Sequence, residues 1–449
     1  MAAKDKDIGQ SSRFAVLPTL TRLEENGVVG AGGGGFPASA KLKARVPLVI
    51  VNAAECEPLL HKDKELLLHH SEAMFRGLLA AMNLVGAREA VIGIKDKYSE
   101  LMEALTGQEP DGVRVHALPD VYPAGDEFIL VHEVTGRVIP PGGLPKDVGT
   151  VVSNVETLVN IGLDRPVTHK YLTVAGAVHT PISVHVPIGI TFAEVIRAAG
   201  GATVDAFNIL VGGVMMARLA SGLDEPVTKT TGGLVVLPSS HKLIQRRTAN
   251  WGQVQRQGRS ACDQCRFCTD MCPRYLLGHP VQPHRAMQSL GFSKPAEPMI
   301  AGTLYCCECN LCSLYACPED LDPKTVCAQA KPVAREKGLI FSGRSEDVHA
   351  NPLAQSRRVP MRRLMLKLGL NGFNNVGPLD ERTFAPERVT LPLRQHAGAP
   401  AEPVVKPGDS VRVGDLLGVP PTGKLGARVH ASIDGTVREI NGAVTIEAH

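Results

Sequence analysis

The stretch CDQCRFCTDMCP, residues 262–273, places four cysteines within eleven residues, and CCECNLCSLYACP, residues 306–318, repeats the arrangement. The first stretch follows the bacterial ferredoxin spacing C-x2-C-x2-C-x3-C-P. Three thiolates on one tight loop can reach three irons of a single cubane, and the fourth cysteine begins a helix that leads away from it. The spacing therefore predicts two [4Fe–4S] clusters on an α-helical insert between globular domains.

The fourth cysteine of each stretch ligates the other cluster in two-cluster ferredoxins, which predicts two crossed ligand sets. Four residues rather than three separate Cys312 from Cys317, which puts the local geometry there in question. A pair of structural zinc sites is the alternative, although such sites usually join two CxxC pairs across a longer spacer. The leftover Cys56, Cys307 and Cys327 are interpreted as buried or bystander thiols. The predicted sets are Cys262, Cys265, Cys268 and Cys317 for one cluster, and Cys306, Cys309, Cys312 and Cys272 for the other.

The composition is that of a folded protein with three or four domains: 449 residues, 44% hydrophobic and 21% charged. A net charge of +3 gives no sign of the basic surface that nucleic-acid binding requires. No apolar run reaches the roughly 18 residues of a transmembrane helix, and the N-terminal MAAKDKDIGQ lacks the apolar core of an export signal. Eleven cysteines in a chain that is not secreted favour metal or redox chemistry over disulfides. We expect a cytoplasmic protein.

Residues 1–165 alternate between strand and helix patterns, which predicts an α/β domain with a mainly parallel sheet covered on its faces. Apolar residues recur at helical spacing through residues 65–85, which predicts one long helix. The expected strands are Val46–Ala53, Ala90–Ile94 and Val113–Leu118.

The remainder of the chain predicts three further domains. Short strands around one helix, Phe192–Ala199, predict a small α+β module over 166–240. The polar and basic segment 241–257 is typical of a linker, and the cysteine domain is expected over 250–345. Residues 395–449 are dense in Val, Gly and Pro turns, which predicts a compact all-β module.

A glycine-rich loop, GAGGGGFP (residues 30–37), precedes the first predicted strand. Runs of glycine let the backbone approach a ligand and aim its N–H groups at phosphate. The loop matches neither the Walker spacing nor the Rossmann fingerprint, so a flexible linker is the alternative. Asn52, Glu55 and Glu57 close the first strand, where open α/β sheets place ligands. The polar groups at 125–127 and 154–157 are equally compatible with ordinary caps and turns.

Four segments and the two cysteine stretches together resemble the C subunit of Rnf-type electron-transport complexes. The first segment also resembles the flavin-binding subunit of respiratory complex I. The order of parts over nearly the whole chain is most similar to the cobalamin reductases of propanediol-utilisation microcompartments. The resemblance implies an FMN-binding α/β domain, a soluble-ligand-binding β-grasp domain, a double-cluster domain and a C-terminal barrel-sandwich domain. The segments are GVVGAGGGGFPASAKL (27–42), VNAAECEP (51–58), YPAGDE (122–127) and GGLPKDVGTVVSNVETL (142–158).

The resemblance also implies the flavin contacts, residue by residue. Asn52 and Asp126 would contact the ribityl chain or the isoalloxazine, and Asn154 and Thr157 would lie on the phosphate side. The phosphate itself would be held by Gly30, Gly32, Gly33, Gly34, Gly35 and Lys41.

Catalysis and substrates follow from the same resemblance. Glu55 and Glu57 match positions that line the flavin and nicotinamide site and are the expected catalytic residues, while Phe36 would stack on the nicotinamide. Electrons would pass from NADH through FMN and the two clusters to cobalamin, from cob(III)alamin through cob(II)alamin to cob(I)alamin. The product would reactivate an adenosylcobalamin-dependent diol dehydratase.

The implied partners are an adenosyltransferase and a shell protein, with the chain inside a bacterial microcompartment. The alternative function is an Rnf C-like relay that passes electrons from NADH to a protein partner. In that interpretation the basic stretch 357–367 would dock on a partner or membrane surface, whereas a helix packed on the body is the plainer interpretation of the same residues.

Overall fold

The computed structural model describes residues 16–293 and 296–449. The prediction about an export signal in residues 1–10 lies outside these residues. The N-terminal α/β unit (residues 16–163) has the strands β1 (Leu48–Ala53), β2 (Glu89–Lys95), β3 (Val113–Leu118), β4 (Val121–Tyr122) and β5 (Thr150–Asn154). Its helices are α1 (Leu20–Glu25), α2 (Ala38–Lys41), α3 (Lys62–His69), α4 (Ser71–Val85), α5 (Ser99–Leu105), α6 (Glu127–Thr135) and α7 (Val155–Leu163).

Four strands of this unit form a parallel sheet in the order β3-β2-β1-β5, as the alternating pattern predicted. The central strand is buried on both faces, and Val49, Ile50 and Val51 have no exposed surface. The single helix predicted over 65–85 is wrong, because His70, with φ −131° and ψ 29°, separates α3 from α4.

A close helix crossing fixes α7, which begins directly after the end of β5. A Cβ on Gly77 of α4 would lie 1.9 Å from the carbonyl oxygen of Leu158, and one on Gly162 of α7 would lie 1.9 Å from that of Ala73. Both positions therefore require glycine. The contact holds the N-terminus of α7 beside the carboxyl end of β1.

The second unit (residues 166–240) is the predicted small α+β module. Its strands form one six-stranded sheet with a short strand from later in the chain, Leu379–Asp380, in the order Leu379–Asp380, β7, β6, β10, β8, β9. The elements are β6 (His169–Gly176), β7 (Ile182–Pro187), α8 (Phe192–Ala198), β8 (Phe207–Val211), β9 (Arg218–Leu219) and β10 (Gly233–Pro238).

The cysteine unit (residues 241–347) is helical, and the linker predicted over 241–257 is wrong. His241 and Asn250 cap two helices there through hydrogen bonds from first-turn N–H groups, and Val254 and Gly258 are buried on the second helix. The α-helices are α9 (Lys242–Thr248), α10 (Trp251–Ala261), α11 (Phe267–Asp270), α12 (Pro273–Leu276), α13 (Pro283–Ser289), α14 (Glu297–Ile300) and α15 (Pro323–Glu336). The 3-10 turns Ala301–Tyr305 and Ser345–Asp347 and a π-helical turn, Cys312–Ala316, complete the unit.

The connection after the cysteine unit packs on the body of the protein. Strand β11 (Val359–Pro360) pairs with β4, and helix α16 (Met361–Leu368) follows it. The apolar face of α16 is buried, which confirms the packed helix over the docking alternative. Its buried residues are Met361, Leu364, Met365 and Leu368. None of the described helices is long and apolar enough to cross a membrane.

The C-terminal unit is all-β, as predicted, and consists of two small sheets in the orders β13-β19-β18-β15 and β14-β16-β17. One hydrophobic core joins it to the α/β unit, with Leu23 and Val49 on one side and Val389 and Val429 on the other. The strands, after β12 (Leu379–Asp380), are β13 (Arg388–Pro392), β14 (Glu402–Pro403), β15 (Ser410–Val411), β16 (Leu416–Val419), β17 (Val429–His430), β18 (Gly435–Ile440) and β19 (Ala443–Glu447).

Candidate functional site

A cavity of about 310 Å³ lies between the glycine-rich loop and the carboxyl ends of β1 and β5. Its volume is that of a small-molecule site, and its position at the strand ends is where open α/β sheets bind ligands. Eight of the residues that the sequence proposed for cofactor binding line it: Gly30, Gly32, Gly34, Lys41, Asn52, Asn154 and Thr157, expected at the flavin, and Phe36, expected at the nicotinamide.

The glycine-rich loop presents its backbone to this cavity. Nothing lies within 4 Å of the positions that a Cβ on Gly33 or Gly34 would take, so the space above them is open. Gly33 has φ +110° and Gly35 has φ +61°, conformations that other residues rarely adopt. A Cβ on Gly32 would lie 3.3 Å from the Cβ of Asn154. The loop is therefore a cradle lined by main chain, which fits a phosphate ester.

Buried polar groups hold the loop from beneath. The N–H of Ala31 donates to the Thr157 hydroxyl at 2.9 Å, and the Ala31 carbonyl oxygen accepts from Nζ of Lys170 at 3.0 Å. Lys170 is also paired with the carboxylate of Glu156, and neither residue is more than 1% exposed. Burial lowers the pKa of Lys170 to about 8 although Glu156 opposes the shift.

A second buried pair extends this network to the cavity wall. Lys62 lies 2.5 Å from a carboxylate oxygen of Asp63 and 3.3 Å from one of Glu156. The other oxygen of Asp63 accepts from Nδ2 of Asn154 at 2.7 Å, which orients a residue that lines the cavity. Burial alone would lower the pKa of Lys62, but the neighbouring carboxylates outweigh it and raise the pKa.

Other units complete the support of the loop. Nζ of Lys229, from the second unit, donates to the carbonyl oxygens of Gly27 and Arg428, each at 2.7 Å. The N–H of Ala397 donates to the carbonyl oxygen of Gly35 at 2.9 Å. The second unit and the connection between β13 and β14 of the C-terminal unit therefore both hold the loop in place.

Asp126, expected at the flavin, has its carboxylate engaged elsewhere. One oxygen caps α6 by accepting from the N–H groups of Phe128 and Ile129, and the other lies 3.0 Å from the guanidinium of Arg274. Its neighbours Gly125 and Glu127 line the cavity instead.

Glu57 is bound to the second unit. Its carboxylate accepts three backbone hydrogen bonds, from Val214 and Met215 at 2.7 Å and from Met216 at 3.0 Å. Burial raises the pKa of Glu57, and the three amides and Arg247 oppose the shift. This carboxylate is not among the residues that line the cavity, so its predicted catalytic role stays a prediction.

Glu55, the other expected catalytic residue, is also outside the cavity lining. Burial and the negative charge of Asp63 raise the pKa of Glu55 to about 7, with Lys62 and Lys95 acting in the opposite direction. A carboxyl group that titrates near neutrality at the end of β1 can hold or release a proton at the working pH. Its role likewise stays a prediction.

A second cavity of about 490 Å³ adjoins the first and shares Phe36, Lys41 and Glu127 with it. Phe36 is 43% exposed, and the Lys41 ammonium lies 2.8 Å from the Glu127 carboxylate where the two cavities meet. Lys43 and Lys146 also line it. The second cavity therefore combines apolar surface with cationic groups.

The fourth cysteine of each stretch lies near the other stretch, and the full ligand sets stay predictions. Burial raises the pKa of Cys268 to about 12, with further contributions from Cys317, Cys262 and Cys265. Burial likewise raises the pKa of Cys272, and there the nearby thiols are Cys306 and Cys307. Cys317 thus lies with the first stretch and Cys272 with the second. Among the described residues, no group of three or more His, Cys, Asp or Glu side chains is arranged to hold a single metal ion.

The two cysteine loops have the same backbone course. Gln264 and Arg266 in the first loop have φ +62° and +68°, and Glu308 and Asn310 at the matching positions of the second have φ +56° and +66°. Two left-handed residues among three cysteines bend each loop around a central point. Non-glycine residues rarely adopt a positive φ, and four of them do so in these two short loops. Such strained backbone indicates that each loop is shaped to hold a group at its centre.

The extra residue of the second stretch is absorbed by the π-helical turn Cys312–Ala316, where the first stretch has the α-helical turn Phe267–Asp270. A π turn accommodates one additional residue without moving the chain beyond it. Cys317, with φ −74° and ψ 119°, matches Cys272, with φ −71° and ψ 120°. The irregular spacing therefore leaves Cys317 in the equivalent position.

The three leftover cysteines lie near the second group. Cys56 and Cys307 pack against the hydrophobic cluster that contains Cys309, and Cys327 is fully buried. A hydrogen bond from Cys327 contributes most to lowering the pKa of Cys306 to about 7. The three thiols are thus packed around one of the two cysteine groups.

Models of four known domains match consecutive parts of the chain. They are the Nuo51 FMN-binding domain over residues 23–163, the SLBB domain over 171–219, a 4Fe-4S dicluster domain over 261–322 and the RnfC barrel sandwich hybrid domain over 380–449. Together they confirm the four-part fold class expected from the sequence.

Two curated relatives match nearly end to end. The cobalamin reductase PduS of Salmonella typhimurium, strain LT2, is 46% identical over 431 residues, covering 95% of each chain. The cobalamin reductase PduS of Citrobacter freundii is 46% identical over 439 residues, covering 96% of each chain. The chain belongs to the cobalamin reductase family. The C component of the proton-translocating ferredoxin:NAD(+) oxidoreductase complex of Clostridium ljungdahlii is 34% identical over 273 residues, which cover 59% of this chain and 57% of the relative.

The cofactors of this cobalamin reductase family member are FMN and two [4Fe–4S] clusters. The residues present fit both. The open cradle at Gly33 and Gly34 suits the FMN phosphate, and two groups of four thiols supply the ligand chemistry of two cubanes. The match to the 4Fe-4S dicluster domain spans Cys262 to Cys317 and favours iron–sulfur clusters over the alternative of two zinc sites.

Sequence reasoning missed the buried network beneath the loop. Lys62, Asp63 and Lys170 carried no signal, because charged residues are normally assigned to the surface. Glu156 lies in a recognised segment, but only the fold shows that it anchors Lys170.

Proposed function

We propose that this chain is an NADH-dependent cobalamin reductase that passes electrons from NADH through FMN and two iron–sulfur clusters to cobalamin. The observation that carries the proposal is the union, in one chain, of a flavin cradle and two crossed cysteine groups, within a family whose curated members are named for cobalamin reduction. FMN held in the cradle would supply two-electron hydride acceptance and one-electron release, and clusters held by the two cysteine groups would supply one-electron transfer. Each NADH loses two electrons and a proton, and each cobalt centre gains one electron per step.

The chain's own residues bind and orient the reactants. The glycine cradle, with Asn154 and Thr157, would hold the phosphate end of FMN, while Asn52 would face the ring end; Nδ2 of Asn52 is held by the Gly125 carbonyl oxygen at 2.8 Å. The network beneath Ala31 keeps the loop in place whether or not the ligand is bound.

NADH would enter through the second cavity. Phe36 offers an exposed aromatic face at the junction of the two cavities, which suits stacking on a planar ring. Lys43 and Lys146 supply positive charge for the pyrophosphate. This placement uses Phe36 as the resemblance implied and adds Glu127 as a carboxylate at the junction of the two cavities, while the catalytic roles of Glu55 and Glu57 stay predictions.

A cobalamin reductase of this family would supply cob(I)alamin to an adenosyltransferase, whose product reactivates a diol dehydratase. We infer that these enzymes are its neighbours and that it resides with a shell protein in a propanediol-utilisation microcompartment. The support is the resemblance to the microcompartment reductases over nearly the whole chain.

The test is an anaerobic assay of the purified protein. NADH should bleach the flavin absorbance, and later addition of hydroxocobalamin should give the spectra of cob(II)alamin and then cob(I)alamin. Flavin reduction with no change in the corrin spectrum would overturn the reductase and leave an electron relay to a protein partner.

Two pairs of variants separate the sites. Gly34→Ala should lower FMN affinity at least about tenfold, that is about 1.4 kcal/mol, while Gly222→Ala, at a second glycine with open surroundings and ordinary φ, should not. Lys146→Glu should raise KM for NADH with FMN retained, whereas the exposed Lys424→Glu should leave it unchanged. Equal effects within either pair would contradict the placement.

A further inference from the structure

The two cysteine groups stand in different surroundings. We call Cys272, Cys306, Cys309 and Cys312 the inner group and Cys262, Cys265, Cys268 and Cys317 the outer group. Cys309 packs in the cluster that holds Tyr122 and Met215 of the first two units, whereas Cys317, Cys262 and Cys306 pack in a cluster within the cysteine unit. Among the described cysteines, Cys265 of the outer group is exposed. The difference in burial gives the two groups different neighbours.

Contacts lead from the cavity wall to the inner group. Asn52 and Gly125 both line the flavin cavity, and Sγ of Cys56 lies 3.2 Å from the position that a Cβ on Gly125 would occupy. Cys56 packs with Tyr122 in one hydrophobic cluster, and the Tyr122 hydroxyl donates to the carbonyl oxygen of Cys309 at 2.7 Å. A packed chain of three residues thus joins the cavity to an inner ligand.

The fourth inner cysteine is fixed to the same unit. Two residues after Cys272, the guanidinium of Arg274 lies 3.0 Å from the carboxylate of Asp126 and 3.8 Å from the ring centre of Phe128. Asp126 is the residue between Gly125 and Glu127, both of which line the cavity. Arg274, two residues after Cys272, and the carbonyl oxygen of Cys309 therefore both contact residues 122–128, the segment that forms the cavity wall.

The second unit covers the inner group from the other side. Nδ2 of Asn310, the residue between Cys309 and Leu311, donates to the carbonyl oxygen of Met215 at 3.1 Å. Leu311 and Leu314 are buried in the same cluster as Met215. Cys272, Cys309 and Cys312 are buried and Cys306 is half-buried, so the inner group is better shielded from bulk water than the outer group.

The outer group faces the opposite way. Cys265 is exposed, Cys262 is half-buried at the end of α10, and the ring of Phe267 between the second and third outer cysteines is 53% exposed. An exposed aromatic side chain beside a ligand loop offers an apolar contact to an incoming planar molecule.

We propose that the inner group receives electrons from the flavin cavity first and that the outer group delivers them to the corrinoid at the surface around Cys265 and Phe267. The proposal rests on the proposed function. Each transfer moves one electron without making or breaking a bond, so the inner cluster is reoxidised as the outer one is reduced, and the outer one is reoxidised as cobalt is reduced.

The test removes one cluster at a time and uses electron paramagnetic resonance rather than turnover. In Cys265→Ser, rapid freezing after NADH addition should still trap the signal of one reduced cluster, with cobalamin reduction lost. In Cys309→Ser, NADH should reduce the flavin while the remaining cluster stays oxidised on the same timescale. Dithionite, which bypasses the flavin, should reduce the surviving cluster in both variants, and each should retain about four irons.

The opposite pattern, with NADH reducing the surviving cluster in Cys309→Ser but not in Cys265→Ser, would overturn the proposal. A measurement on the unaltered protein covers the case in which a variant fails to fold. A soluble paramagnetic chelate should speed the spin relaxation of the outer cluster and leave the signal of the inner cluster unchanged. The first signal to appear after NADH addition should therefore be the one that the chelate does not affect. The reverse order would refute the assignment. Phe267→Glu should slow cobalamin reduction and leave the NADH-induced signals intact.

If NADH fails to reduce the flavin of the unaltered protein, the proposed function itself is wrong. If both clusters are reduced in the order given but the corrin spectrum does not change, the inner and outer assignment stands and only the acceptor is wrong. The two failures are thus distinguishable.

Discussion

The ion pair beneath the glycine-rich loop allows a quantitative test. Lys170→Met removes the ammonium but keeps most of the side-chain volume. It leaves Glu156, which is fully buried, with Lys62 at 3.3 Å and the N–H of Tyr171 at 3.0 Å as its partners. Breaking a buried pair costs about 3–5 kcal/mol, and these two remaining partners place the expected loss at the lower end, about 3 kcal/mol.

The double variant separates the charge from the hydrogen bond to the loop. Adding Glu156→Gln to Lys170→Met removes the uncompensated carboxylate, so the two losses should not add, and we expect a coupling of about 2 kcal/mol. The carbonyl oxygen of Ala31 remains without its ammonium donor in both variants. FMN affinity should therefore stay low in the double variant even where stability recovers.

The assay is amide hydrogen exchange of the peptides covering residues 27–42 and 150–171, because a multidomain protein does not unfold in a single step. FMN affinity is measured separately by flavin fluorescence. Glu194→Gln, at a capping carboxylate in the second unit, serves as a control that should not change exchange in either peptide. Additive losses, with a coupling below about 0.5 kcal/mol, would show that Lys170 and Glu156 do not act as a pair.

Glu57→Gln should weaken the three hydrogen bonds to residues 214–216 and lower the local stability there by about 1–3 kcal/mol, which speeds their amide exchange. Iron content should not change, and unaltered exchange would contradict the anchoring contact. Glu55 has a folded-state pKa of about 7 against an ordinary value of 4.5, so its favourable contribution is complete below pH 4.5 and is lost as the pH rises through 7. Glu55→Gln should therefore stabilise the first unit by up to about 3 kcal/mol at pH 8 and have little effect at pH 4. Amide exchange of that unit at the two pH values, corrected for the intrinsic pH dependence of exchange, would check this, and a pH-independent difference would refute the shift. A Cβ on residue 35 would lie 3.0 Å from Cγ2 of Thr230, in a backbone with φ +61°. Gly35→Val should therefore abolish FMN binding and expose the loop to limited proteolysis. A protease-resistant variant would show that the structure tolerates a side chain at this position.

Local patterns in the sequence predicted much of the fold. The strands β1, β2 and β3 are parallel because their apolar runs alternate with helices, and the structure keeps each within two residues of the expected bounds at either end. The crossing of Cys272 and Cys317 between groups was also predictable, because ferredoxin spacing alone implies it. These features depend on residues that are near one another in the chain.

The wrong predictions concern segments whose structure depends on residues that are distant in the sequence. The helix expected over 65–85 breaks at His70, and its spacing of apolar residues gives no sign of the break. The segment at 241–257 looked like a linker because its arginines suggested solvent, yet Arg247 donates to carbonyl oxygens of residues 214–217. A basic residue that bonds to main chain of another unit cannot be recognised from its own neighbours.

The candidate site shows the same division. The glycine loop and Asn154 were found from motifs, and Glu57 was assigned to the nicotinamide from the family resemblance, but neither source gave the contacts that Glu57 makes. The amides that its carboxylate accepts from are 157 to 159 positions away in the chain, at Val214 and Met216 among others, and its catalytic role stays a prediction. The extra residue before Cys317 raised a doubt that spacing alone could not resolve, since a π turn and a displaced cysteine look alike in sequence.

The carbonyl oxygens at Gly27, Ala31 and Gly35 all take their hydrogen bonds from other parts of the protein: Lys229, Lys170 and Ala397. A fragment comprising only the first unit would carry the whole phosphate motif and still lack the donors that shape it. Release of the flavin and separation of the modules are then thermodynamically linked. If the second unit were exchanged for that of a distant relative, the new unit would need lysines equivalent to Lys170 and Lys229. The first two units are therefore expected to evolve together.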